Sequence, residues 1–355
     1  VWTGRELLVW GGSIMDVRSG PNDGRRMAGT TLDPRTGNEV PLVIESYADG
    51  AAYNPATRKW RKLPASPLAG RSGHASLWTG KEMLVWEGGD LVTMFSDGAA
   101  YNPETDAWRK LPPLPFSERP ALSAIWTGHE AILWGGIDHR PDLPPQGAAY
   151  DPKSDRWRAI APFPLEPRQW HSAVWTGNEM LVWGGTDLVH SPDFKDGAAY
   201  EPVTDTWRAL PPAPIAGRYR HHAVWTGTEM IVWGGHVGPF GVVDGAAFDP
   251  ATGKWRRIRD PVLAGRRRAS VVWTGSEMLV WGGVDDQAAK SFDDGAAYDP
   301  RNDSWRNLPQ STLPGRCSEA AVWTGRHLLI WGGEKCGDVG HYFADGAAYR
   351  PSRGR

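Results

Sequence analysis

Four side chains fit for chemistry stand together in one stretch of this 355-residue chain, and a fifth follows closely. Tyr219, Arg220, His221 and His222 lie in RYRHHAVWTGTEMIVWGG, and His236 comes directly after the diglycine. A phenol and imidazoles are ligands that copper and other transition metals take. The same imidazoles beside Arg220 could hold and deprotonate an anionic sugar. Gln169 and Trp170 occupy the matching place in RQWHSAVW, and Arg267 and Arg268 in RRRASVVW. Guanidinium forks pair with carboxylates bidentately, and an indole offers a face for stacking.

How much of that stretch is scaffold depends on repetition, and the stretch is one copy of seven. WTG recurs at Trp2, Trp78, Trp126, Trp175, Trp225, Trp273 and Trp323, the later copies 48 to 50 residues apart. An apolar run and a diglycine (WEGG at Glu87 in one copy) follow each, then GAAY or GAAF at Gly50, Gly98, Gly147, Gly197, Gly245, Gly295 and Gly346. A Trp-bearing segment such as EPVTDTWRAL closes the unit. Each unit reads as four short strands: RxxHxAVW, a Thr-Gly turn into EMLVWGG, then GAAY, then a Pro/Asp turn into WRxL. The second strand is apolar at consecutive positions, which suits a strand covered on both faces. The fold class is all-β, a seven-bladed β-propeller of four-stranded antiparallel blades.

The order diglycine, Tyr-x-Pro, Trp, Arg-x-x-His resembles the kelch family over nearly the whole chain, read as one domain of residues 1–355. The resemblance implies a channel lined by the first strands, and an upper face shared by the second-to-third and fourth-to-first strand loops. The blades run about 1–63, with an insertion at 13–48, then 71–111, 119–160, 168–210, 218–258, 266–308 and 316–350. The last unit ends without its Trp-bearing strand and the first begins at VW, so a closure strand is expected upstream of Val1.

Twenty of the 21 Trp fall at three repeated positions and belong to blade cores; only Trp170 stands apart. Arg71, Arg119, Arg168, Arg218, Arg266 and Arg316 recur at one position. Asp49, Asp97, Asp196, Asp244, Asp294 and Asp345 recur at another, with Gln146 in the remaining copy. Arg–carboxylate pairing between strands is the favoured reading of these two rings, ahead of an anion-binding channel mouth. His74, His171 and His221 share the RxxH place, taken elsewhere by Leu122, Ala269 and Glu319, which leaves His222 as the extra histidine.

The odd residues out gather on the upper face. Two positions after the ring arginine stand Gly73, Ala121, Trp170, Arg220, Arg268 and Ser318, with Gln169, Tyr219 and Arg267 beside them. Asp138, His139, Asp187, His190, His236, Asp285, Asp286, Asp338 and His341 follow the diglycines. Arg and Trp on a polar concave surface suit an acidic peptide, a carboxylated sugar or another anion. The expected function is a non-catalytic scaffold binding a protein or glycan there. Sugar-active kelch relatives give the alternatives. A sialic-acid mutarotase would use Arg220, Arg268, His222 and Glu319; a copper oxidase is disfavoured because both cysteines lie in blade seven, away from Tyr219, His221, His222 and His236.

Cys317 and Cys336 flank the last hairpin and fit a disulfide, and with it an extracellular or periplasmic protein. A net charge of −2 without a Lys/Arg block excludes a nucleic-acid footprint, and no apolar run is long enough for a membrane helix. A monomer without cofactor or metal is expected.

Overall fold

The computed structural model describes residues 1–355 apart from 18–25, 33–38, 91, 118, 120, 138–146, 190–192, 286–289, 337, 339 and 352–355, with only the backbone described within 15–44. His139, His190, Asp138, Asp286 and Gln146 thus lie outside the described residues. Among those described there is no helix, and so none long and apolar enough to cross a membrane. The chain is all-β, a seven-bladed β-propeller, and its contacts divide it into two compact units.

The first unit is Val1–Glu118 with Asp338–Tyr342. Its first blade pairs Leu7–Trp10, Gly50–Asn54 and Lys59–Lys62, and Trp2 adds a bridge to Leu7. The insertion carries strands of its own: Ser13–Val17, Glu39–Ser46 and Arg26–Leu32 form an antiparallel sheet in that spatial order. Blade two is Ala75–Trp78, Met83–Trp86, Gly98–Asn102 and Ala107–Leu111. Leu8, Trp10 and Ala52 of blade one pack on Met83, Val85, Ala99 and Tyr101 of blade two.

The second unit, Arg119–Gly337 with Phe343–Arg355, holds the remaining blades. Blade four shows the pattern: Ser172–Trp175, Met180–Trp183, Gly197–Glu201 and Thr206–Ala209, paired in sequence order. Blades three, five and six are likewise four-stranded, and blade seven pairs Ala320–Trp323, Leu328–Trp331 and Gly346–Tyr349. Burial on both faces explains the consecutive apolar residues of MLVW. Met180 and Val182 pack with Ile132 and Trp134 of blade three, while Leu181 and Trp183 pack with Met230 and Val232 of blade five. Ala198 and Ala199 divide the same way, their small side chains letting the sheets close.

The hairpin tip is displaced by one residue from the expected Thr-Gly. Thr176 N–H donates to Glu179 O, so Gly177-Asn178 forms the tip, and Gly177 takes φ 105°. Glycine first at the tip is what a primed hairpin turn requires. At the same end, straps join neighbouring blades. Arg158 pairs with Glu130 and donates to the Tyr200 hydroxyl, which donates to Asp205 at 2.6 Å. Arg256, Glu229, Tyr298 and Asp303 repeat the strap between blades five and six. Blade five carries Phe248 and Gly253 instead of Tyr and Asp, so both strap partners are lost together.

Candidate ligand-binding site

The scaffold of the site is the buried arginine at the head of each of blades two to seven. Arg168, fully buried, donates from Nε to Glu166 O and from Nη1 to Gly184 O and the Asp196 carboxylate at 2.7 Å. The same carboxylate pairing joins Arg218 to Asp244, Arg266 to Asp294 and Arg316 to Asp345, and Arg71 to Asp97 in the first unit. An aromatic lid covers most of these guanidinium groups: Phe194 lies 4.4 Å from Arg168, Phe292 4.0 Å from Arg266 and Phe343 4.1 Å from Arg316. A single residue separates each lid from its aspartate, as in FKDG, FDDG and FADG, and sequence reading missed it. In blade five the lid position is Val242.

Two residues after each arginine the backbone enters the left-handed region. Trp170 and Arg220 both have φ 53°, Arg268 52°, Ala121 64° and Ser318 59°; Gly73 has φ 67° in the first unit. A residue with a Cβ pays of order 1–2 kcal/mol there, and glycine does not. These corners are linked across blades, Arg220 N–H donating to Trp170 O at 2.9 Å and Ser318 N–H to Arg268 O at 3.3 Å.

Around the corners of blades four and five the structure assembles a continuous stack. The Arg220 guanidinium lies 3.9 Å from the Trp170 ring, Trp170 lies 5.7 Å from Tyr219, and Tyr219 lies 5.4 Å from His236. Paired backbone bonds between Tyr219 and His236 fix the last step. The Tyr219 hydroxyl donates to Gly238 O, and Gly238 N–H donates to Asp193. Leu188, Val189 and Phe240 stand exposed on the loops of the same two blades. Gln169 is buried and bridges to Thr186, Arg267 bridges to Val284, and Asp187 accepts from Val189 N–H to shape its own turn. Arg268 reaches the other way, pairing with Glu334 at 3.1 Å; sequence reading had no way to single out Glu334.

His222 does not join the stack. It begins an inner strand, and its Nε2 is buried with no partner among the described residues. Burial pushes its pKa down to about 4. His171 and His221 plug gaps beside Trp134 and Trp183, ring centroids 4.8 and 5.1 Å apart. Burial and then the neighbouring arginine hold both neutral, His171 at about 3 and His221 well below its ordinary value. His221 Nε2 meets Ser172 Oγ at 2.8 Å.

Glu319 occupies that plug position in blade seven, between Ser270 and Gly282, and burial raises its pKa to about 7. An unfolded chain releases this proton near pH 4.5, so the folded state binds more protons across pH 4.5–7 and loses stability as pH rises through that window. Glu319→Gln is therefore expected to be more stable than the parent at pH 8 by about 1–3 kcal/mol, the gap closing towards pH 4.5. Urea unfolding at the two pH values measures it. The buried histidines act with opposite sign, costing stability as pH falls below about 6.5.

Cys317 and Cys336 form a disulfide with Cα atoms 6.0 Å apart. With Glu334 they are the sole cluster of three potential metal ligands among the described residues, and the disulfide occupies both sulfurs. No curated protein matches the chain. One family model does, over residues 121–333, and its description is KLHDC2/KLHL20/DRC7 Kelch-repeats domain.

Proposed function

Because the chain belongs to this Kelch-repeat family, a fold that serves binding, we propose that it is a non-catalytic scaffold whose partner is a protein docking on the corners of blades four to six. One observation carries the reading. The corner position favours glycine, yet Trp170, Arg220 and Arg268 hold large side chains there at a backbone cost. Residues kept in such a conformation concentrate at ligand contacts, and Trp, Tyr and Arg are the side chains that dominate interface energies. The Trp170–Arg220–Tyr219 stack offers an aromatic face with a cation on it, and Arg268, paired with Glu334, takes the matching corner of the next blade. A partner segment pairing apolar or aromatic groups with carboxylates complements that surface. The disulfide is compatible with an oxidising compartment, and an extracellular or periplasmic site belongs to the same reading.

The test compares partners crosslinked by the parent chain with those crosslinked by Trp170→Ala and Arg220→Ala. Loss of the indole is expected to weaken binding at least about thirtyfold, the scale of a hot-spot truncation. Trp170→Ala keeps a Cβ at the corner and removes only the stack, so thermal unfolding should barely move. Partners retained equally by both variants would overturn the proposal.

A further inference from the structure

We propose that the Cys317–Cys336 disulfide is a redox latch on this corner: oxidised, it holds the Glu334 carboxylate over Arg268; reduced, it frees Arg268 for an acidic partner. The binding half of this inference rests on the reading of the corner as the docking surface; the latch itself does not.

The backbone around Glu334 is ordinary for this fold. Cys317 and Glu334 bridge through paired N–H···O bonds of 2.9 and 3.0 Å, as Gln169 and Thr186, Tyr219 and His236, and Arg267 and Val284 do without sulfur. Blade five ties the residue two places beyond through a hydrogen bond, Tyr219 hydroxyl to Gly238 O; blade seven makes the corresponding tie covalent, and reduction can undo it. Glu334 Oε1 rests in the resulting cradle, 3.1 Å from Arg268 Nη1, 3.4 Å from Ser318 Oγ, and 3.8 and 3.9 Å from the two sulfurs. Otherwise Cys336 is held through its carbonyl by a 3.4 Å contact from Ser291 Oγ. Cleaving the S–S bond lets the sulfurs separate to non-bonded distance, which dismantles the floor under the carboxylate.

The chemistry is thiol–disulfide exchange with a dithiol reductant. Cys317 is fully buried and Cys336 keeps 8% of its surface in solvent, so Cys336 Sγ is the sulfur assigned to the attacking thiolate. The S–S bond breaks, and Cys317 leaves as a thiolate that takes a proton from solvent. The reductant's second thiol then closes its own disulfide and releases Cys336. Arg268 Nη1, 3.9 Å from that sulfur, stabilises the departing thiolate. Two electrons and two protons pass from the dithiol to the protein.

The experiment measures phenylglyoxal modification of Arg268 by mass spectrometry and binding of labelled hexaglutamate, on the whole chain, oxidised and after dithiothreitol. Reduction and Cys336→Ser should each speed modification and tighten hexaglutamate binding about two- to fivefold, the scale of a half-exposed ion pair. Glu334→Gln should show both gains in either redox state. An Arg268 modification rate that ignores reduction in a folded chain would sink the latch. Faster modification with no hexaglutamate binding to any form would leave the latch standing and remove the anion-docking reading.

Discussion

Arg168→Ala should destabilise the protein by about 3–5 kcal/mol, since hydrogen bonds from a charged donor contribute about 1.5–3 kcal/mol each and this guanidinium makes several. The guanidinium is wholly buried, yet Asp196 keeps nearly half its side chain in solvent, so the carboxylate left behind is not the main loss. What suffers is the joint itself. Gly184 O and Asp196 Oδ1 lose their donor, and Phe163 and Phe194 lose the cation lying 5.3 and 4.4 Å from their rings. Arg168→Lys tests the geometry, since an ammonium keeps the charge but not the planar fork. Lysine should recover less than half of the loss in chemical denaturation. Full recovery would mean that charge alone matters.

Gly184→Ala should cost about 2–4 kcal/mol, whereas Gly234→Ala should cost about 1 kcal/mol. Both glycines open the diglycine of their blade, at φ 69° and 68°, so their backbone strain is the same. Their surroundings differ. A Cβ on Gly184 would stand 2.7 Å from His221 Cε1 and 2.8 Å from Arg218 O, while one on Gly234 would meet nothing closer than 3.7 Å. Two changes in the next blade make the difference: Ala269 replaces the histidine plug, and the arginine carbonyl stands farther off, Arg266 O at 3.7 Å. Equal losses in urea unfolding would show that backbone strain alone governs these positions. Glu87, at φ 63° in the same place of blade two, already shows that a side chain is tolerated there.

The propeller was legible because its determinants are periodic: the Trp positions, the diglycines and the doubly covered MLVW strands each recur with every blade. The Cys317–Cys336 pairing was legible too, since folding the hairpin at Gly325 brings both residues to one end. Gly73 among bulkier equivalents hinted at the left-handed corner, but one glycine cannot distinguish strain from chance. The Phe194 lid went unread because the pattern is imperfect, with Val242 in one blade. Glu334 had no pattern at all. It occurs once, and only three-dimensional closure shows that it neutralises an arginine 66 residues earlier. The chain within 13–48 was read only as an insertion; its strands Ser13–Val17, Arg26–Leu32 and Glu39–Ser46 recur in no blade, so the repeat did not disclose them.

Blade five accumulates the exceptions. It carries Val242 under its arginine, Phe248 and Gly253 where the strap needs Tyr and Asp, and an open space beside Gly234. Each departure removes a fastening without exposing the core. Tyr219, Arg220 and His236 therefore ride on a blade that lacks fastenings present in both blades four and six. If one sheet yields to a docked ligand, the fifth is the one expected to do so.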